Sequence, residues 1–341
     1  MGVRAANKEA AALIEGVRSG DEAAFAALTE PYRRQLHVHC YRMLGSFDEA
    51  EDLVQETLLR AWRGRAGFEG RSSVRTWLYR IATNACLDLL ESKSHRFRSL
   101  ESPQAAGSYG PEWLEPFPDR LLDQVASSEA GPDAVTIERE TIELAYLAAI
   151  QYLPSKQRAI LILRDALGWS AKETAGLLDE TVASVNSALN RARSSMRKRL
   201  PRERLEWSTA GTPTTAEMSL LTRYMDATDR ADVAALTALL SEEARLTMPP
   251  YPTWFQGRAD IAISLALATD PASSTYLGEF RTVATAANRQ PALAAYVRRP
   301  GDSEFRALGI DVLRLERGLV VEITRFISAD IFEAFGLKQI L

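Results

Sequence analysis

Arginine, tyrosine and asparagine share one face of a helix predicted within the first hundred residues. A helix is predicted from Val74, because aliphatic residues follow it at intervals of three and four. Its outward positions are polar or aromatic, namely Arg75, Tyr79, Arg80 and Asn84. Guanidinium groups bind phosphates and aromatic rings stack on unpaired bases, so this face indicates a nucleic-acid surface. The same mixture also occurs on ordinary helix surfaces, and the pattern alone leaves both interpretations open.

A second basic surface belongs to a helix-turn-helix pattern. Ser170 and Glu173 have the spacing of a capping box, and Asp179 stands where the turn needs a left-handed residue. Residues 191–204 hold seven basic side chains and one acidic side chain, which favours DNA binding over an ordinary helical hairpin. The helix predicted from Thr181 has outward residues suited to base edges and phosphates: Ser184, Asn186, Ser187, Asn190, Arg191, Arg193, Arg197 and Lys198.

An acidic surface lies on an earlier helix. From Ala50 to Trp62 apolar residues form one continuous stripe at intervals of three and four. The opposite face and the residues just before the stripe are acidic or amide: Asp48, Glu49, Glu51, Asp52, Gln55 and Glu56. From the pattern alone, this is the solvated face of a bundle helix.

The net charge of -4 conceals a polarised chain. By segment, the charge is +2 for residues 1–98, -5 for 99–131, +2 for 132–206 and -3 for 207–341. The first and third segments have helical patterns, the second resembles a linker, and the second half of the fourth alternates like strands. We therefore expect two helical domains joined by an acidic linker and followed by a separate C-terminal domain.

Composition limits the remaining possibilities. A chain of 341 residues, 46% hydrophobic, can form more than one globular core. No apolar run approaches the roughly 20 residues that cross a bilayer, and no signal-peptide pattern opens the chain, so we expect a cytoplasmic protein without a membrane partner. Buried cysteines and surface histidines are expected, and no metal or cofactor, because thiols and imidazoles are too few for a zinc array: Cys40, Cys86, His37, His39 and His95.

Four stretches of this chain resemble the extracytoplasmic-function (ECF) sigma factors of bacterial RNA polymerase. They read GSFDEAEDLVQETLLRAW at 45–62, SVRTWLYRIATNACLD at 73–88, LPSKQR at 153–158 and VNSALNRAR at 185–193. The resemblance, over about residues 7–95 and 132–203, implies a sigma-70 region 2 within 1–98 and a helix-turn-helix region 4 within 132–206.

The resemblance also implies partners and residue roles. The acidic residues of 48–56 would bind core polymerase, and the helix from Thr181 would bind the minus-thirty-five element of double-stranded promoter DNA. The minus-ten element would be melted and bound by Phe68, Arg71, Arg75, Tyr79, Arg80 and Asn84. Polymerase would perform all the chemistry. A helix-turn-helix regulator that acts without polymerase is the alternative, and it would not need the acidic face.

The C-terminal segment, 207–341, has two helical patterns followed by strand-like runs, which indicates an α+β domain. MPPYPTWFQG at 248–257 and ANRQPA at 287–292 resemble the SnoaL-like branch of the nuclear-transport-factor-2-like fold, a cone of curved sheet closed by helices. The implied architecture is two all-α sigma domains plus this cone-shaped domain. One methionine and three aromatic residues suit either a ligand pocket or plain core: Met248, Tyr251, Trp254 and Phe255.

Some members of this fold are polyketide cyclases and isomerases, so an active enzyme fused to a sigma-like protein is a further alternative. No histidine or cysteine follows residue 95. Asp226, Asp311 or Glu322 would be a base only if buried, since burial raises a carboxyl pKa. We expect a regulatory domain rather than an enzyme.

The linker carries apolar residues among prolines, PEWLEPFPD at 111–119. It is similar to a Trp-Leu-Pro-type motif found in the linkers of sigma factors with such an extension. Exposed Trp113, Leu114 and Phe117 need a docking partner, and we expect them to dock on the C-terminal domain. The resemblance implies that this domain replaces a separate anti-sigma factor.

Overall fold

The computed structural model describes residues 13–68, 70, 72–98, 114–123, 142–199, 214–249 and 254–341, with the side chains of 94–98 and 199 left out. The described residues form two compact units, one helical (13–98 and 149–199) and one α+β (114–123, 142–148 and 214–341). Among the described residues, no helix has both the length and the apolar character needed to cross a membrane.

The helical unit begins with a short helix at 13–19, followed by α1 (Glu22–Leu44), α2 (Phe47–Gly64) and α3 (Val74–Arg98). Gly45 ends α1 with a φ of 78°, and the next residue, Ser46, accepts a hydrogen bond from the Glu49 amide to begin α2. These two caps turn the chain sharply between α1 and α2. Both cysteines, Cys40 and Cys86, are fully buried, as predicted.

The prediction of surface histidines is wrong for two of them. His37 and His39 are buried, not on the surface, because the C-terminal half of α1 is covered on every side. His37 Nε2 lies 3.1 Å from the Phe47 carbonyl oxygen and His39 Nε2 lies 2.9 Å from Thr83 Oγ1. Burial lowers the pKa of His37 and lowers that of His39 to about 3. Both rings are therefore neutral in the folded unit at neutral pH.

The later helices include the pair of the helix-turn-helix. After a one-turn helix in the linker, α4 (Asp119–Leu122), they are α5 (Leu144–Gln151), α6 (Ser155–Leu161), α7 (Ala171–Leu178) and α8 (Val182–Arg199). A π-helical turn, Ile162–Ala166, extends α6 up to Leu167 and Gly168. Pro154 immediately precedes the first residue of α6, where its missing N–H costs the helix no hydrogen bond.

The α+β unit contains a six-stranded sheet of order β2-β1-β6-β5-β4-β3. In chain order its elements are α9 (Thr215–Asp229), α10 (Val233–Leu239), β1 (Leu240–Thr247), β2 (Trp254–Gln256), α11 (Arg258–Thr269), β3 (Glu279–Ala287), β4 (Gln290–Arg298), β5 (Arg306–Glu316), β6 (Leu319–Phe326) and α12 (Ile331–Ala334). All neighbouring strands are antiparallel except β1 and β6.

The core of this unit lies between the sheet and α9, α10 and α11. It includes Leu220, Leu239, Ile261, Leu293 and Ile323. Every strand-like run in the sequence is a strand, and Arg317 and Gly318 form the β5–β6 turn with positive φ. The sequence patterns did not predict β2 and α11.

Candidate nucleic-acid interface

The turn between α7 and α8 is fixed by local hydrogen bonds. Ser170 Oγ accepts from the Glu173 amide and Glu173 Oε2 accepts from the Ser170 amide, which completes the predicted capping box. Asp179 ends α7 with a φ of 54°, the left-handed conformation that the sequence predicted there. Thr181 Oγ1 then accepts from the Ser184 amide at the start of α8. The two helices are therefore held as a helix-turn-helix.

The outward face of α8 is polar and accessible. Val185, Leu189, Ala192 and Met196 are buried against the rest of the unit. Ser184 is half-buried, whereas the other predicted DNA-contacting residues are exposed: Asn186, Ser187, Asn190, Arg191, Arg193, Arg197 and Lys198. A helix with small polar residues near its start and basic residues further along suits the major groove.

Two of the basic residues on α8 already have partners. Arg191 Nη1 donates to Ser187 Oγ at 2.8 Å, one helical turn earlier. Arg193 donates twice to Asp165, from Nε at 3.0 Å and from Nη2 at 2.6 Å, and this pairing raises the Arg193 pKa. Arg193 is therefore exposed on the outward face of α8, but its guanidinium is paired with Asp165 in the π-helical turn Ile162–Ala166.

The predicted minus-ten residues are in unlike environments. Asn84 and Arg80 are exposed and Arg75 is half-buried. Phe68 is buried and stacks on Trp77, with ring centroids 4.5 Å apart. Arg71 lies outside the described residues.

The prediction that Tyr79 points outward is wrong, because only 1% of this residue is exposed. Its ring lies 5.0 Å from that of His39 and 5.6 Å from that of Trp169. The Arg75 guanidinium lies 5.2 Å from the Tyr79 ring and 5.9 Å from the Trp169 ring. Trp169 begins the helix-turn-helix, so the start of that motif covers Tyr79.

Arg80 makes a second contact with the helix-turn-helix. Its Nη2 donates to both oxygens of the Asp179 carboxylate, at 3.0 and 2.9 Å. The side chains are 47% and 78% exposed, so this ion pair lies at the surface.

A buried arginine joins the two stretches of the helical unit, residues 13–98 and 149–199. Arg158, in the predicted LPSKQR stretch, donates to the carbonyl oxygens of Met43 and Gln151 and to the Gln151 side chain. It is 4% exposed, and burial lowers its pKa to about 10, so it stays protonated at neutral pH. Its guanidinium satisfies carbonyl groups that would otherwise be buried without partners.

The acidic surface on α2 is part exposed and part paired. Asp48, Glu51, Asp52 and Gln55 are exposed. Glu49 is paired with Lys93, and Glu56 accepts from Arg60 at 2.7 Å. The same arginine reaches Asp88 at 3.0 Å. A protein partner would therefore meet an acidic patch centred on Glu51, Asp52 and Gln55.

In the α+β unit, the linker docks on the turn between β3 and β4. Leu114 and Phe117 are buried, while Trp113 lies outside the described residues. The Phe117 amide donates to Asn288 Oδ1 at 2.8 Å, and the Asn288 amide donates to the Phe117 carbonyl at 2.9 Å. Pro118 pairs with Ala287 as an isolated bridge. The linker is thus bound through its backbone as well as its apolar side chains.

The same turn also holds the chain beyond the linker. Asn288 Nδ2 donates to the Ile142 carbonyl at 2.8 Å, and Gln290 Oε1 accepts from the Leu144 amide at 3.2 Å. Arg289 reaches Asp119 and Asp123. Asn288 and Arg289 have φ of 56° and 61°, a conformation asparagine adopts more readily than most residues. The stretch ANRQPA at 287–292 carries a family resemblance, but no local pattern in it predicts these long-range contacts.

The candidate bases in the C-terminal domain are exposed or paired. Asp226 is exposed, and Glu322 accepts from Arg314 at 2.9 Å. Asp311 is buried but accepts two hydrogen bonds from Arg325, at 2.8 and 2.6 Å. Burial and the Asp311 charge raise the pKa of Tyr224. Asp311 is thus a buried carboxylate that is held by the Arg325 guanidinium.

The methionine and the aromatic residues near β2 do not share one environment. Met248 and Phe255 pack at the edge of the core, Trp254 is 40% exposed, and Tyr251 lies outside the described residues. Among the described residues, no group of three His, Cys, Asp or Glu side chains is arranged to hold a metal ion.

Comparison with known families agrees with this arrangement. Family models match at residues 28–96 (Sigma-70 region 2), 143–196 (Sigma-70, region 4) and 221–323 (SnoaL-like domain). A helix-turn-helix region 4 and a region 2 on one chain define a sigma-70-type promoter-recognition protein. The six-stranded C-terminal domain is of the SnoaL-like α+β type.

Relatives narrow the class. The ECF RNA polymerase sigma factor SigG of Mycobacterium tuberculosis is 41% identical over 334 residues, 95% of this chain and 86% of SigG. SigW of Bacillus subtilis is 33% identical over 188 residues, 55% of this chain and 94% of SigW. The chain belongs to the ECF RNA polymerase sigma factors, which bind core polymerase and recognise promoters.

A solved structure shares the fold. The crystal structure of the Mycobacterium tuberculosis ECF sigma factor SigJ aligns with 93% of this chain and 99% of its own, with a TM-score of 0.57 and 22% identity. The predicted architecture of two helical sigma domains and a SnoaL-like domain is confirmed.

Proposed function

We propose that this sigma factor uses three surfaces to start transcription and that its C-terminal domain controls them through the linker. The acidic patch on α2 would bind core polymerase. The first half of α3 and the loop before it would bind the minus-ten element, and α8 would bind the minus-thirty-five element. The observation that carries this proposal is the outward face of α8, where seven of the eight predicted residues are exposed.

Co-purification and run-off transcription test the assignment of the polymerase surface. Asp52 is exposed on α2, so Asp52→Arg should reduce co-purification with core polymerase and lower the transcript yield in proportion. Asp302→Arg, an exposed acid in the α+β unit, makes the same charge change and is the matched control. Equal binding by both variants would remove the α2 surface from the proposal. A regulator acting without polymerase would not co-purify in either form.

The α8 assignment predicts a graded effect on DNA affinity. Arg197→Ala and Lys198→Ala should each weaken promoter binding and lower the slope of log affinity against log salt by about 0.9, the value for one phosphate contact on a duplex. Asn186→Ala should instead reduce discrimination between promoter and random DNA. Affinity and slope unchanged in all three variants would contradict this assignment.

Regulation by the C-terminal domain would act through the clamp formed by Asn288–Gln290. This turn binds Phe117 in the linker, and it also binds Ile142 and Leu144 at the start of the matched region 4. The domain would thereby limit the distance between the two DNA-binding regions. The proposed boundaries are 1–98 for region 2, 99–131 for the linker, 132–206 for region 4 and 207–341 for the C-terminal domain. Run-off transcription with Asn288→Gly tests this, because unchanged activity would mean that the clamp has no role.

The C-terminal domain would act as a regulator and not as an enzyme. It would take the place of a separate anti-sigma factor. The protein would work in the cytoplasm, where core polymerase is found. The double hydrogen bond from Arg325 supports a regulatory role rather than an enzymatic one, because both carboxylate oxygens of Asp311 accept from the guanidinium and are occupied by it. Turnover of cyclic polyketide-like substrates by the full chain, abolished in Asp311→Asn, would favour the enzyme instead. A small-molecule ligand for this domain remains compatible with the proposal.

A further inference from the structure

The helical unit contains an ion pair that joins two surfaces proposed to bind DNA. Arg80 belongs to the minus-ten surface of α3, and Asp179 belongs to the turn of the helix-turn-helix, 99 residues later. Arg80 Nη2 lies 3.0 and 2.9 Å from the two carboxylate oxygens of Asp179. Two oxygens sharing one negative charge are also what a DNA phosphodiester presents to an arginine.

We propose that Arg80 is a phosphate-binding site for the promoter strand and that the Asp179 carboxylate occupies it until DNA displaces it. This inference rests on the proposed function, since it names the DNA group that meets the minus-ten surface and the part of the chain that competes for it.

The exposure of the pair suits a competitor. Asp179 and Arg80 side chains are 78% and 47% exposed, so water and salt reach both groups. Surface ion pairs contribute about 0–1 kcal/mol, which is small enough for a strand with several phosphates to replace one carboxylate. A buried pair such as that of Asp311 and Arg325 could not exchange in this way.

Neighbouring contacts make the masking extend beyond one ion pair. Trp169 lies against Tyr79, and the Arg75 guanidinium lies over both rings. Three of the proposed minus-ten residues are thus in contact with the helix-turn-helix. Displacement of Asp179 would be the first step in exposing Tyr79 for stacking on an unpaired base.

The test compares DNA affinity with and without the competing charge. Asp179→Asn removes the charge, and asparagine adopts the left-handed conformation of this position as readily as aspartate does. The full chain is titrated into a fluorescein-labelled single-stranded oligonucleotide of mixed sequence, followed by anisotropy. We expect Asp179→Asn to bind up to about fivefold more tightly at low salt, the factor that corresponds to an exposed ion pair.

Two controls separate competition from a general charge effect. Asp302→Asn changes the net charge equally and lies on an exposed turn of the α+β unit. Arg80→Gln should weaken binding, and in that background Asp179→Asn should give no more gain than Asp302→Asn gives. Asp179→Gly, which also adopts positive φ, repeats the test if Asp179→Asn folds poorly.

Each outcome has one meaning. A gain from Asp179→Asn that persists in the Arg80→Gln background overturns the inference, as does a gain no larger than that of Asp302→Asn. An Arg80→Gln variant that binds with wild-type affinity overturns it too, because Arg80 would not be a phosphate site. Run-off transcription with wild-type chain and core polymerase reports on the proposed function separately, since it does not depend on Asp179.

Discussion

The Asn288 clamp allows a quantitative test of the linker. Asn288→Gly keeps the backbone conformation, because glycine adopts a φ of 56° without strain. It removes the acceptor for the Phe117 amide and the donor to the Ile142 carbonyl, both of which are buried interactions. Each buried group left without a partner costs about 1–3 kcal/mol, so the substitution should weaken docking by about 2–6 kcal/mol.

Hydrogen exchange measures this loss where it occurs. A cost of about 2–6 kcal/mol should raise exchange of the amides in Leu114–Leu122 between about 30-fold and about 10⁴-fold. The Phe117 amide should respond most, since it loses its own acceptor. Global unfolding is a poorer readout, because a chain with several domains does not unfold in a single two-state transition.

Arg317→Gly is the matched control. Arg317 also has positive φ, at 50°, and sits exposed in the β5–β6 turn, so its replacement by glycine tests the backbone effect without a lost buried contact. Its exchange pattern in the linker should equal that of the wild-type chain. Unchanged linker exchange in Asn288→Gly would refute the clamp and leave docking to the apolar contacts of Leu114 and Phe117. Faster exchange in both variants would attribute the effect to glycine itself.

Three further predictions concern buried charged or titratable groups. Because the His39 pKa falls from an unfolded value near 6.5 to about 3, stability from its neutral state is complete above pH 6.5 and is lost as pH falls. The free energy of unfolding of the helical unit, measured by denaturant titration, should fall by about 1.4 kcal/mol per pH unit between pH 6.5 and 3. His37 should add to this loss in the same direction, and His39→Gln should reduce the slope. Arg158→Leu should destabilise the helical unit by about 3–5 kcal/mol, seen as a lower melting temperature, because several buried carbonyls lose their donor. Asp311→Ala should destabilise the α+β unit by about 3–5 kcal/mol because Arg325 is left unpaired, whereas Asp226→Ala at an exposed site should leave its melting temperature unchanged.

Local signals in the sequence were sufficient where a backbone interaction decides the structure. The capping box at Ser170 and the left-handed Asp179 both depend on residues within a few positions of each other. The helix α11 lacked such a signal, because its apolar residues have no clear helical period and two of them, Ile263 and Leu267, are 60% and 48% exposed. Strand β2 has only three residues, too few for alternation to be read.

Tertiary contacts decided the features that the sequence did not predict. Tyr79 lies on the outward face of α3 by periodicity, yet residues from the later helix-turn-helix cover it. His37 and His39 are buried for the same reason, since α1 is enclosed along its second half. Arg289 carries a charge that local patterns assign to solvent, but its side chain meets Asp119 and Asp123 from 166 or more positions away.

Ion pairing alters what the charge of each segment means for DNA binding. Residues 191–204 carry a net charge of +6 by sequence, yet Arg193 is held by Asp165, and on the other surface Arg80 is held by Asp179. Before either arginine can contact a phosphate, its existing ion pair must break. Each arginine should therefore contribute less to the salt dependence of DNA binding than a lysine that has no ion-pair partner among the described residues, such as Lys198. Substituting Arg193 should therefore change DNA affinity less than substituting Lys198, although both occupy α8 and carry the same charge. The order of these two effects, measured on one promoter at one salt concentration, would show whether pairing or formal charge controls binding.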